Sequence, residues 1–352
     1  MKHAHNAGYI LLVTLMMITG AIAVGTYIFL RGSVYLPFMR SHIERQKAIM
    51  FAQGGLAIAQ SQLTLFVAPK DQKEENTNQQ SDPAKQLWER ITPTINRWQT
   101  YQLKKNIDGI DGVIKICLGA EEGKIDLNTV YDYKKKEFKG KGQPTADWHK
   151  LMEVVCKRIE VLTGAKDTFN ALSAFLKKRS RPLNDVTELL TIKEFDVFRN
   201  AVFYEPRTQE SKDVVIYLTD IFTVHSRTDT LQPWLFSDSL LGILQIKQAQ
   251  PGDSAKREDV IKKLNKKFKK TVQWKQDWDE LLKPLYEKEL QSLPNGLDSV
   301  LDVTFEPTTF TVLVHGTVGL VTQRLLAIVE RYSRVRNSKI EYNVSIKKLY
   351  WL

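Results

Sequence analysis

The chain has 352 residues, of which 43% are hydrophobic and 26% charged. That length and balance exclude a low-complexity or disordered chain and fit a membrane helix with one or two folded units. The formal net charge of +11 admits nucleic acid or anionic lipid as partners. The basic residues are spread along the sequence, however, which is the pattern of a solvated lysine-rich surface. There are two cysteines, Cys117 and Cys156, too few for a disulfide framework. One bridge is permitted outside the cytoplasm, but each sits in an apolar segment and is expected as a separate core thiol.

Residues Tyr9 to Leu30 form one uncharged apolar run behind a short polar leader, MKHAHNAG. As a helix at about 1.5 Å per residue the run is about 33 Å long, enough to cross a bilayer core of roughly 30 Å. Val34, Phe38, Ile43, Ala48, Phe51, Ala52, Leu56, Ala59 and Leu63 then recur at three- and four-residue spacing. This stripe predicts an amphipathic helix that holds a globular head. Pro37 is expected to kink it near its start. Gly54 and Gly55 mark a weak point or a place of close packing.

The polar stretch from Pro69 to Pro83 reads as a solvated loop. LWERITPTINRWQTYQL predicts a short helix and an extended piece, GVIKICLGA a strand and GKIDLNTVYD a turn. From Thr145 the period becomes helical, through ADWHKLMEVVCKRIEVLTG, KDTFNALSAFLKKRSR, LNDVTELLTI and KEFDVFRNAVFY. Asp167 and Asn184 stand at N-cap positions and Gly164 at a helix stop. VVIYLTDIFTVHS is β-branched and aromatic, hence strand-like. SDSLLGILQIKQ predicts another short helix, and Arg257 to Leu293 a lysine-rich helical stretch interrupted at Pro284. VLDVTFEP, TFTVLVHGTVG and IEYNVSIKKLYWL predict strands, while LVTQRLLAIVERYSR fits helix or strand. Strands therefore flank a helical block, and the fold class is α+β, with the N-terminal helix laid on a small antiparallel sheet.

The chemical motifs are weak. His42-Ile43-Glu44 gives H-x-E without the cysteine pair that a zinc deaminase needs. His225, Ser226 and Asp229 are close in sequence, which is not triad geometry. Gly119 to Lys124, GAEEGK, lacks the phosphate-loop spacing and puts acids where phosphates would lie. Asp126, Asn128 and Asp132 offer oxygens that could begin a calcium loop, though neither a turn glycine nor a closing glutamate follows. The bland reading is an Asx turn. Aromatics and lysines interleave in LNKKFKKTVQWKQDW as on a base-stacking surface, but nearby acids make a solvated helix face the simpler reading.

Several segments in order carry a resemblance. The start, AG-YILLVTLMMITGAIAVGTYIFLRG, resembles a prepilin processing site, with Gly8 before the cut and Tyr9 after it. Most pilins carry glutamate at the fifth mature position, where this chain has Val13. That departure, the alanine-rich helix RQKAIMFAQGGLAIAQSQL, the turn EEGKIDLNTV and the late segment TFTVLVHGTVGLVTQRLLAIVER resemble protein K of the general (type II) secretion pathway, a minor pseudopilin family. PLNDVTELLTIKEFDVFRNAVFY resembles its proline-flanked helix pair. Gln232, Pro233, Trp234 and Leu235 depart from its second I-N-x-N-T-A element.

The resemblance implies a pilin-like fold with a large inserted, SAM-like helical domain. It divides the chain into a leader (1–8), a transmembrane and amphipathic helix (9–68), a polar loop (69–84), the first part of the head (85–144), the insertion (145–298) and a C-terminal β part (299–352). It implies cleavage by a prepilin peptidase, a single-pass inner-membrane anchor, a periplasmic head and a place at the tip of the pseudopilus. The partners are then other minor pseudopilins. Neither nucleic acid, a small-molecule substrate nor catalysis is expected, and calcium in the head is the only cofactor considered, since some members of the family bind it. Lys2 on one side and Arg31 and Arg40 on the other leave orientation undecided by charge, so it rests on the leader. A minor pilin of a type IV pilus, which shares the leader, and a membrane-anchored DNA-binding protein are the rival readings.

Overall fold

The computed structural model describes residues 4–64, 91–140, 147–205, 215–246, 254–267, 272–294, 296–302, 307–336 and 339–352. The expected polar loop and part of VLDVTFEP lie outside them. The first helix, α1 (Ala4–Leu63), is continuous and carries Pro37 within it. Its C-terminal half buries Ala48, Phe51, Ala52, Leu56, Ala59 and Leu63. The stripe expected from the sequence also includes Phe38 and Ile43, and there the structure differs. Phe38 and Ile43 are exposed, because the sheet does not reach them. The turn that bounds it, at Gly319, already lies against Glu44.

The head is a five-stranded antiparallel sheet in the order β1 (Trp98–Leu103), β2 (Gly112–Ala120), β7 (Thr309–Val318), β8 (Val321–Arg336), β9 (Lys339–Trp351). The segment LVTQRLLAIVERYSR, open between helix and strand, is β8. Its register with β7 pairs Leu313 with Leu326 and Val314 with Leu325. Period-two alternation sends Ile114, Ile116, Val312, Val314, Leu325 and Ala327 into one core with α1. The residues between them, Cys117, Leu313, Leu326 and Ile328, enter a second core with Tyr204. The middle strand, β7, is thus buried on both faces, as its apolar run TFTVLV requires. Glycines let α1 and the sheet interlock. A Cβ at Gly55 would collide with the side chains of Val314 and Ile114, and one at Gly316 would strike the α1 backbone at Ala48 and Ala52. Gly54 faces open space.

Everything from residue 121 to residue 308 is inserted between the hydrogen-bonded neighbours β2 and β7. It holds the short strands β3 (Ile125–Asp126), β4 (Tyr131–Asp132), β5 (Glu137–Phe138) and β6 (Phe222–Thr223). Its helices are α2 (Trp148–Thr163), α3 (Thr168–Lys178), α4 (Asp238–Ile243), α5 (Ser254–Lys267) and α6 (Trp274–Leu281). In α2, Trp148, Leu151, Met152, Val155, Cys156 and Ile159 form the buried stripe. Asp147 caps its start by accepting the Lys150 N–H, and Gly164, left-handed at φ 76, ends it.

Three local expectations differ from the structure. Asp167 precedes α3 but does not cap it. Its own backbone is left-handed, and the carboxylate of Glu160 on α2 accepts from Thr168 N at 2.8 Å instead. Asn184 is one residue early. Asp185 is the cap, in a reciprocal box with Glu188. VVIYLTDIFTVHS is not one strand. Among its described residues, Leu218–Ile221 form one helical turn, and only β6 pairs, in parallel, with β3. Its apolar richness reflects burial of Leu218, Ile221 and Phe222, which periodicity cannot separate from strand.

Candidate functional site

The N-terminal half of α1 packs against no other element among the described residues. Leu11, Leu15, Met16, Met17, Ile22, Val24, Ile28 and Phe29 are exposed, which water penalises heavily for a run of this size. Among the described residues this is the one helix long and apolar enough to cross a membrane. Gly8 and Tyr9 lie in its second turn, and Val13 one turn further on. A Cβ at Gly20 or Gly25 would meet nothing, so both remain open to another helix. The apolar run ends at Arg31, whose guanidinium sits 5.0 Å from the centre of the Tyr27 ring. Tyr27, Phe29, Tyr35 and Phe38 are exposed around it. An aromatic and arginine belt of this kind is what a bilayer interface selects. Beyond the belt, Leu36, Met39 and Ile43 are still exposed, so the apolar surface continues past the length a membrane core would cover.

At the opposite end of the sheet, the inserted block is fastened by two adjacent glutamates. Strand β2 runs directly into Glu121 and Glu122, both buried. Glu121 accepts from Lys124 Nζ at 2.5 Å and from the hydroxyls of Thr223 on β6 and Thr311 on β7. Lys124 also donates to Thr311 Oγ1 at 2.9 Å. Burial raises the Glu121 pKa, and Lys124 with the two threonines more than reverses this, leaving it below the ordinary value. Glu122 grips the returning chain. Its Oε1 accepts from Thr308 N at 2.6 Å, Thr308 Oγ1 at 2.9 Å and Thr309 N at 2.9 Å. Here burial prevails and pushes the pKa up to about 7. Between them Gly123 packs so closely on the Leu235 carbonyl that no side chain would fit.

Beside this neck, Asp220 accepts from Ser239 N at 2.8 Å. Burial raises it to about 6, with Lys124 opposing and Asp238 adding to the rise. Tyr204 donates its hydroxyl to Asp238. On the far side, Asp185 accepts from Lys348 Nζ at 2.5 Å and from the Tyr350 hydroxyl. Burial is outweighed there, and Asp185 falls to about 2. The void among Glu121, Lys124, Asp220 and Tyr204 measures about 30 Å³. It has room for a water or two and for no organic substrate.

The raised glutamate makes stability depend on pH with a definite sign. Above about pH 4.5 an unfolded Glu122 gives up its proton, while the native one keeps it until about pH 7. The native state therefore loses stability as pH rises through that window, by about 3 kcal/mol at most. Glu122→Gln removes this loss. The difference in unfolding free energy between wild type and variant should change steadily from pH 4.5 to 7 and then level off. A difference independent of pH would refute the assignment.

The other sequence candidates each have hydrogen-bond or ion-pair partners of their own. Asp126 accepts from Asn128 N at 2.9 Å, Ser226 Oγ at 3.0 Å and Arg227 N at 2.9 Å. Asn128 clasps the backbone of Leu183 through both of its amide atoms, each at 2.8 Å. Asp132 accepts from Lys134 N and Lys135 N in its own turn. Among the described residues no three His, Cys, Asp or Glu side chains gather as a metal group. Ser226 thus serves Asp126, while Asp229 pairs with Lys139 at 3.0 Å, so neither meets His225 as a triad would. Cys117 and Cys156 are free and buried in different cores. Burial raises both thiols, Cys156 to about 12. In the lysine-rich segment Trp274 and Trp278 are buried, so neither offers a ring face to a base. Lys267 pairs with Asp277 at 2.7 Å and Lys263 with Asp259 at 2.8 Å. The neck itself was not anticipated as a site. Its one signal was a charged EEGK directly after an apolar strand.

No family model and no curated protein matches the chain. Among solved structures, the chain is similar to one from the crystal structure of the GspK-GspI-GspJ complex of the type 2 secretion system of enterotoxigenic Escherichia coli. The identity is 14%, the match covers 89% of this chain and 98% of that one, and the TM-score is 0.42.

Proposed function

We propose that this chain is a minor pseudopilin of a type II secretion apparatus. One observation carries the reading. A single helix is exposed and apolar in its N-terminal half and is built into the head through its C-terminal half. Such a helix anchors the precursor in a bilayer and then packs among the helices of a fibre. The exposed residues between Tyr35 and Ile43 suit the second task, because they lie beyond the span. Val13 in place of an acid suits a subunit with none above it, and avoids placing a carboxylate in the bilayer. The bulky insertion suits the tip for the same reason. The head has a structural role, with the neck fixing the insertion rather than catalysing a reaction, and stands in the periplasm.

The test is the amino terminus of the protein purified from membranes. Processing after Gly8 gives a chain that begins at Tyr9 and carries an N-methyl group. Gly8→Ala should leave the precursor uncut. Retention of Met1 in cells that process other prepilins would end this reading. Recovery of the protein in surface pili would move it to the type IV pilus.

A further inference from the structure

The turn between β4 and β5 carries Lys134, Lys135 and Lys136 in succession. Asp132 fixes this turn by accepting two of its backbone N–H groups, from Lys134 at 2.9 Å and Lys135 at 3.0 Å. All three lysines are exposed. The fold then brings a second basic segment to the same place. Lys136 Nζ donates to the carbonyl of Lys177 at 2.8 Å, docking the turn on the C-terminal end of α3. There Lys177, Lys178 and Arg181 are exposed as well. Among the described residues none of Lys134, Lys135, Lys177, Lys178 and Arg181 has an ion-pair partner. The cations nearby that do have one are neutralised, Lys139 by Asp229 at 3.0 Å and Arg179 by Glu188 at 2.7 Å.

We propose that this paired turn and helix end form a docking surface for an acidic protein partner. Like charges from two distant segments repel one another when held together. Lysines in the last turn of α3 are explained in part by its dipole, but Lys134 and Lys135 belong to no helix and have no such role. The arrangement also bears on the class of partner. Planar, bidentate capture of a phosphate calls for forked arginines, and the half-buried guanidinium of Arg179 is occupied by Glu188. Exposed lysines on a turn instead suit a run of carboxylates that needs charge and little fixed geometry. A bilayer is the less fitting anion. The insertion is rooted where β2 ends, and Gly55, Gly316 and Gly319 show α1 running along the sheet from its other end. The patch is therefore carried by the part of the head fastened away from the apolar span. This exclusion of the membrane rests on the membrane reading of α1; the patch itself does not.

The experiment uses the full chain in detergent, with poly-L-glutamate as probe and binding measured by fluorescence anisotropy at low and at physiological salt. Lys134→Glu with Lys135→Glu should weaken binding at least tenfold. Lys104→Glu with Lys105→Glu changes net charge equally at another exposed site, and should weaken it less than twofold. Salt should weaken wild-type binding steeply. Equal losses in the two variants, or no binding by wild type at low salt, would overturn the proposal. So would a variant that loses binding only to vesicles of phosphatidylglycerol and phosphatidylcholine, which would make the patch a lipid contact. None of these readouts depends on cleavage after Gly8, so failure here is distinct from failure of the pseudopilin reading.

Discussion

Lys124→Met should destabilise the protein by about 3–5 kcal/mol, the range for breaking a buried ion pair on one side. Lys124 and Glu121 are both almost completely buried. Without the ammonium, Glu121 keeps only the hydroxyls of Thr223 and Thr311, too little to offset burial of a full charge. Its pKa, now below the ordinary value, should rise above it. The variant should therefore lose further stability as pH rises, because only the unfolded state can then ionise freely. Urea unfolding followed by fluorescence suits the measurement, since Trp148, Trp274 and Trp278 are buried. The double variant Glu121→Leu/Lys124→Met should recover most of the loss, as apolar replacements of buried pairs commonly do. A single-variant loss below about 1 kcal/mol would show that the pair is not buried as described.

The second large effect concerns the contact between α1 and the sheet. Gly316→Val should cost about 4 kcal/mol, at the severe end for overpacking. Its Cβ would fall 2.6 Å from Ala52 N and 2.9 Å from Phe51 Cβ, besides striking the Ala48 carbonyl. Two of these three atoms belong to helix backbone and cannot turn aside as a flexible side chain would. The helix must move off β7, which uncovers Ala48 and Ala52. Gly20→Ala is the companion, since nothing lies within 4 Å of a Cβ there. It should leave the unfolding of the head unchanged within about 1 kcal/mol. Comparable losses in both variants would show that α1 does not seat on the sheet through Gly316.

The parts that were legible in the sequence are those whose pattern is local. The apolar run and the alanine-rich stripe specify α1, because burial every three or four residues needs no distant information. Gly164 marks the end of α2 for the same reason. The local signals failed where two readings share one pattern. Asn184 and Asp185 are both good caps, and only the reach of Glu188 decides between them. Ile216, Leu218, Ile221 and Phe222 are apolar because the block closes around them, and that closure lies in other segments. Phe38 and Ile43 continue the period of the stripe, yet only the position of the turn at Gly319 shows that the sheet ends before them. The neck was the least legible. Glu121 and Lys124 stand in a segment that reads only as a turn, and only Thr311, far along the chain, shows that they are buried.

The placement of the insertion has a consequence for how the head is made. Strands β2 and β7 are neighbours in the sheet, but the chain supplies β2 before residue 121 and β7 after residue 308. Pairing β7 with β8 and β8 with β9 needs only short connections. Pairing β2 with β7 must close the whole intervening segment, which has a higher entropic cost and is intrinsically slow. During synthesis the inner faces of α1 and β2 therefore wait, uncovered, for residues 309–351 to arrive. Early folding of the inserted block would shorten this wait, since it brings residue 121 and residue 308 together before the late strands need them. The glutamates at the neck would then act first in assembling the sheet and only afterwards in holding it.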